Sequence, residues 1–171
     1  MREYYVAFYQ NKNRLNPFSR IIETVENLPH SHVEIVNSID GSFENSFSWG
    51  STFPKSRKVE LSLMKKNYHV ERLVPLRTNI PDLSSELILM SLCDKPYSFI
   101  QVILSGIKVL TKGSLAWLGL VKPNLSKSLI CTEMVGLFMQ EACGYRFEQS
   151  PELLTLREVE LIALKNLIVE V

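Results

Sequence analysis

Apolar and polar residues alternate over the first half of the chain and switch to a helical repeat over the second. Residues 3–9, EYYVAFY, are rich in aromatic and β-branched types and predict a buried strand. Asn16 is placed to cap a helix with Pro17 in its first position. Phe18, Ile21, Ile22 and Val25 then recur at spacings of three and four until about Asn27. After Pro29 the segment His32–Ile39 reads as a strand ending at Asp40-Gly41, a strong hairpin signal, with Phe43–Trp49 returning beside it. Lys58–Leu63 and His69–Leu76 flank the turn-like Lys65-Lys66-Asn67 and predict a second hairpin, which would complete an antiparallel meander.

From Pro81 onward the period becomes about 3.6. A helix is expected from Asp82 or Ser84 to about Cys93. An amphipathic one should open at Pro96 and carry Phe99, Val102, Ile103, Ile107 and Leu110 on one face. Gln101, Lys108 and Lys112 interrupt the apolar stretch 99–121, so a core helix is expected there and no transmembrane segment. Leu115–Val121, with Trp117, is less periodic and suits the wall of a substrate groove. Ser128 is placed to cap a helix in which Cys131, Val135, Phe138 and Ala142 share a face until Gly144 stops it. Ser150-Pro151-Glu152 reads as a further helix start and Thr155–Glu158 as a capping box, with helix to about Leu164. The fold class is α+β. With no internal repeat or linker, the reading is one domain over residues 1–171.

Composition narrows the function classes. At 171 residues, 46% hydrophobic and 22% charged, the chain is long enough to bury a full core. A net charge of +1 makes no electrostatic case for nucleic acid, which is not expected as a partner. Three cysteines at spacings that fit no zinc pattern point to reduced thiols. The first residues lack the apolar run of a signal peptide.

The chemistry rests on His32 on a strand and, about a hundred residues later, Cys131 at the start of a helix. A cysteine attacks as its thiolate, which a neighbouring imidazolium and the positive end of a helix dipole both favour. Cys131 has the second within reach, and His32 is the candidate for the first. Glu34, two residues beyond His32, shares its face of the strand and is the first choice to orient the ring. Ser48 ranks second, and Glu44 and Ser51 are further rivals on the returning strand. Cys93 and Cys143 read as packing residues and His69 as a surface one. A metal set of His30, His32 and Glu34 is disfavoured because Pro29 breaks the strand beside His30. No cofactor and no metal are expected.

His32-Val33-Glu34, Ser48-Trp49-Gly50-Ser51 with Arg57-Lys58 behind it, Cys131-Thr132-Glu133 and Ser150-Pro151-Glu152 occur in an order that resembles the permuted NlpC-type papain-like cysteine peptidases, more closely the small members encoded by bacteriophages. The resemblance covers about residues 4–155. It implies an antiparallel sheet packed on helices, with the cysteine helix against the histidine strand, and hydrolysis or transfer at an amide or other acyl bond. Cys131, His32 and Glu34 would be catalytic and bacterial peptidoglycan the candidate substrate. The alternatives it leaves are a catalytically silent virion component that binds other virion proteins, and a lipid acyltransferase or thioesterase. The implied location is a phage virion or the host cytoplasm.

Overall fold

A computed structural model describes residues 2–13, 15–98, 101–103 and 128–168. Its centre is a five-stranded antiparallel sheet: β1 (Arg2–Asn11), β2 (His32–Ile39), β3 (Ser42–Ser51), β4 (Ser56–Glu60) and β5 (Tyr68–Leu76), in the order β4-β3-β2-β1-β5. Helix α1 (Pro17–Glu26) joins β1 to β2. The Asn16 carboxamide oxygen accepts from the Phe18 and Ser19 amides, and Asn27 closes the helix in the left-handed region. The β2–β3 hairpin turns on Asp40 (φ 52°) and Gly41 (φ 74°), the positive-φ pair that such a two-residue turn requires.

The second expected hairpin does not form. Between β4 and β5 the chain makes helix α2 (Leu61–Asn67), and the two strands end on opposite edges of the sheet. Leu61 and Met64, three residues apart, are both buried against Ala7, Tyr9 and Val36, which gives this segment a helical inward face. Lys65 and Lys66 belong to the last turn of α2, where cations suit the negative end of the helix. β5 then crosses over to pair with β1, Val6 opposite Val74 and Ala7 opposite Leu73.

The opposite face carries the main core. Tyr4, Val6, Phe8, Val33, Ile35 and Trp49 are buried under α3 (Asp82–Ser91), α4 (Cys131–Cys143) and α5 (Leu156–Ile168). Residues 101–103 are helical; the rest of the amphipathic segment expected from Phe99 to Leu110, and Trp117 with it, lies outside the described residues. α4 ends at Gly144, with φ 74°. Its start differs from expectation. Ile130, not Ser128, is the N-cap, and no side chain of the cap residue closes the helix. Glu133 reaches back to the Ile130 backbone instead.

The tail also differs. Ser150-Pro151-Glu152 leads into a single 3-10 turn, Pro151–Leu153, and the long helix starts only at Leu156 and runs past Leu164. The capping box is there: the Thr155 amide donates to Glu158 Oε2 at 2.8 Å and the Glu158 amide to Thr155 Oγ1 at 3.2 Å. Glu26, at the end of α1, accepts from the Leu156 and Arg157 amides at 3.1 and 2.8 Å and so caps the same helix from across the fold. Among the described residues no helix is long and apolar enough to cross a membrane.

Candidate active site

Strand alternation sends His32 and Glu34 to the face covered by α2, while Val33 and Ile35 enter the main core. The two polar side chains meet: His32 Nε2 lies 2.7 Å from Glu34 Oε1. Ser48 donates to Glu34 Oε2 at 2.5 Å, and Arg57 Nη1 to Glu34 Oε1 at 3.2 Å. Tyr9 and Ser48 hydroxyls stand 2.9 Å apart. Glu34 is wholly buried and nonetheless carries a partner on each oxygen. Burial would raise its carboxyl, but His32, Arg57 and Ser48 outweigh it and hold the pKa below the ordinary value.

Gly50 explains how the carboxylate fits. A Cβ at this position would come within 2.2 Å of both Glu34 Cδ and Oε1, so only glycine lets β3 pass beside the carboxylate. The His32 ring is flanked by Tyr68 and Tyr9, with ring centroids 5.7 and 6.2 Å away.

α4 brings the thiol to this ring. Cys131 is its first residue and is half-buried. Burial works against a charge on His32, but hydrogen bonds to Cys131 and Glu34, and the charges of both, raise its pKa well above the ordinary 6.5. With Nε2 on Glu34, Nδ1 is the nitrogen left for the sulfur. The approach to α4 is held from the sheet, where Ser51 donates to the Leu129 carbonyl at 2.8 Å, and by the Leu129 amide bonding the Pro96 carbonyl at 2.9 Å. Tyr97, bridged to Leu129, is close enough to Cys131 and Tyr68 for burial and their charges to push its phenol upward, which keeps it neutral. Burial also raises Glu133, to about 7, although Gln101 Nε2 donates to it at 2.8 Å.

The rival positions lie elsewhere. Ser48 meets Glu34 and not the imidazole, Glu44 is exposed, and Ser51 is engaged with Leu129. His30 packs on Phe8, with ring centroids 4.8 Å apart, and faces Glu160 at 3.6 Å. Among the described residues no group of three or more His, Cys, Asp or Glu side chains is arranged to hold a metal. Burial raises the Cys93 thiol and pushes Cys143 up to about 12. A cavity of about 70 Å³ adjoins Cys131, walled by α1, Ile130 and the segment before α5.

Tyr9 carried no signal in the sequence, because its place behind Ser48 depends on β1 lying beside β2. Glu133 did carry one: a glutamate three residues after a helix cap is the far half of a capping box. No protein-family model matches this chain, and no curated protein matches it. The fold is α+β, with a five-stranded antiparallel sheet and helices on both of its faces.

Proposed function

We propose that the protein is a cysteine-dependent acyl hydrolase of the permuted NlpC-type, papain-like kind, cutting amide or peptide bonds, with bacterial peptidoglycan as the substrate implied by the sequence resemblance. The observation that supports this reading is the His32 imidazole hydrogen-bonded to Cys131 on one side and to a fully buried Glu34 on the other. In this reading His32 takes the thiol proton, and the Cys131 sulfur attacks the acyl carbon as the carbonyl π pair moves onto oxygen. Collapse of that adduct re-forms the carbonyl and breaks the bond to the leaving group, which takes its proton from His32. Water then attacks the thioester, gives a proton to His32 and releases the acid and the thiol. Glu34 keeps its charge throughout and holds the ring in one orientation.

The test compares the three thiols. Iodoacetamide at neutral pH, followed by peptide mass mapping, is expected to label Cys131 well ahead of Cys93 and Cys143, and His32→Ala to remove that lead. Equal labelling of all three thiols, untouched by the substitution, would end the proposal. Release of soluble fragments from purified peptidoglycan by the wild type, lost in Cys131→Ser, tests the substrate. The apolar cavity beside Cys131 favours a second reading, a lipid acyltransferase or thioesterase, in which the same thioester forms on an acyl-lipid donor.

A further inference from the structure

We propose that the cavity beside Cys131 receives the acyl half of the substrate as an uncharged, apolar group, and that the Ser31 and Thr132 hydroxyls hydrogen-bond its carbonyl oxygen. The inference rests on Cys131 being the nucleophile and adds the groups that bind what it attacks.

Ile22, Val25, Val102, Ile130, Leu154 and Leu156 line the cavity, with no lysine or arginine among the described lining residues to meet a charged acyl group. Its polar groups are mostly committed. Both Glu26 oxygens accept from the first amides of α5, and Thr155 Oγ1 accepts from the Glu158 amide. Ser31 and Thr132 differ: both are 5% exposed, and neither Oγ nor Oγ1 has a hydrogen-bond partner among the described residues. Buried hydroxyls left in that state are costly, and a native structure retains few of them.

Their positions give the unmade bonds a use. Ser31 immediately precedes His32 and is fixed by its amide bonding the Tyr9 carbonyl at 3.0 Å. Thr132 immediately follows Cys131, in the first turn of α4, where backbone amides also point outward. Both residues therefore line the same cavity as Cys131, each adjacent in sequence to one member of the Cys131–His32 pair, and a turn about the Cα–Cβ bond is what brings a hydroxyl to a bound carbonyl. When the sulfur attacks, negative charge develops on the carbonyl oxygen, and donors fixed beforehand stabilise it without a proton transfer.

The test uses p-nitrophenyl butyrate and mono-p-nitrophenyl succinate, which present apolar and charged acyl groups of similar length, and follows acylation of Cys131 by intact mass. Iodoacetamide alkylation runs in parallel, because displacement of iodide creates no oxyanion. Ser31→Ala and Thr132→Val are each expected to slow butyrylation by about 10²-fold, with alkylation of Cys131 unchanged and Thr132→Ser restoring most of the rate. The succinyl ester is expected to react at least about tenfold more slowly than the butyryl ester, for want of a partner for its charge.

Undiminished butyrylation in both variants would overturn the inference while leaving the nucleophile intact. So would an equal loss of alkylation, which marks a structural role, or a loss confined to Tyr97→Phe, which would assign the oxygen to that phenol. Wild-type protein that neither ester acylates, and whose Cys131 iodoacetamide labels no faster than the other thiols, would overturn the reading of the nucleophile itself.

Discussion

Glu34 offers one oxygen to His32 and Arg57 and the other to Ser48, so each partner bears on how firmly the imidazole is held. Glu34→Gln keeps the shape and removes the charge. It is expected to lower kcat/KM by about 10²- to 10⁴-fold. The pH profile carries the sign. On the proposed mechanism His32 needs its proton to drive out the leaving group; its partners raise its pKa, so activity is expected to persist above 6.5 and to fall as pH rises through the higher folded value. The substitution should move that alkaline limb to lower pH, and a limb that stays put would contradict the role given to Glu34. Gly50→Ala tests the same carboxylate from behind. A methyl within 2.2 Å of Glu34 must displace it, at a cost of about 1–3 kcal/mol in urea unfolding. Activity should fall with it, in a variant that has lost no polar group. The His32–Glu34 contact was legible in the sequence, since period two puts them on one face. Arg57 and Tyr9 were not, because their contacts are set by which strands are neighbours.

At the scale of the element, α4 positions the thiol and depends on Glu133 at its start. Glu133 faces Gln101 and the Ile130 amide, with the charges of Glu152 and Lys95 near enough to be felt. Its pKa is raised from 4.5 to about 7, so between those values the folded chain keeps a proton that the unfolded chain has lost. The stabilisation is complete below about pH 4.5 and lost as pH rises through about 7, a change of about 3 kcal/mol. Glu133→Gln, which retains an oxygen for the cap and cannot ionise, is therefore expected to gain about that much on the wild type between pH 4 and pH 8 in urea denaturation. An unchanging difference would show that Glu133 ionises as it does in the unfolded chain. Helices with a polar cap signal, such as α1 at Asn16, were readable. α2 was not: its seven residues are too few for a helical period to stand out from a strand followed by a turn.

Across the whole molecule the sheet order decides which strands depend on which. β1 pairs along its length with β2 on one side and β5 on the other, and its Val6, Ala7, Phe8 and Tyr9 are fully buried. Hydrogen exchange should be slowest at these amides and faster along β4, a five-residue edge strand. β1 amides exchanging as fast as those of β4 would mean that the sheet opens from its centre. α5 is tied to the β5 edge by Arg72 with Glu160, at 2.8 Å, and to the end of α1 by Glu26. The fold class was legible because period two gives way to 3.6 at Pro81. The crossover of β5 to β1 was not, since sequence pattern says nothing about a pairing between residues so far apart in the chain.

The separation of His32 from Cys131 also has a temporal side. A chain made from its N-terminus lays down β1 to β4, and with them His32, Glu34, Ser48 and Arg57, well before α4 is synthesised. On a ribosome His32 and Glu34 are therefore available to one another first, and the Cys131 sulfur arrives late. On the mechanism proposed above, a growing chain would stay inert toward acyl compounds until the segment that begins at Cys131, about the last quarter of the polypeptide, docks on the sheet.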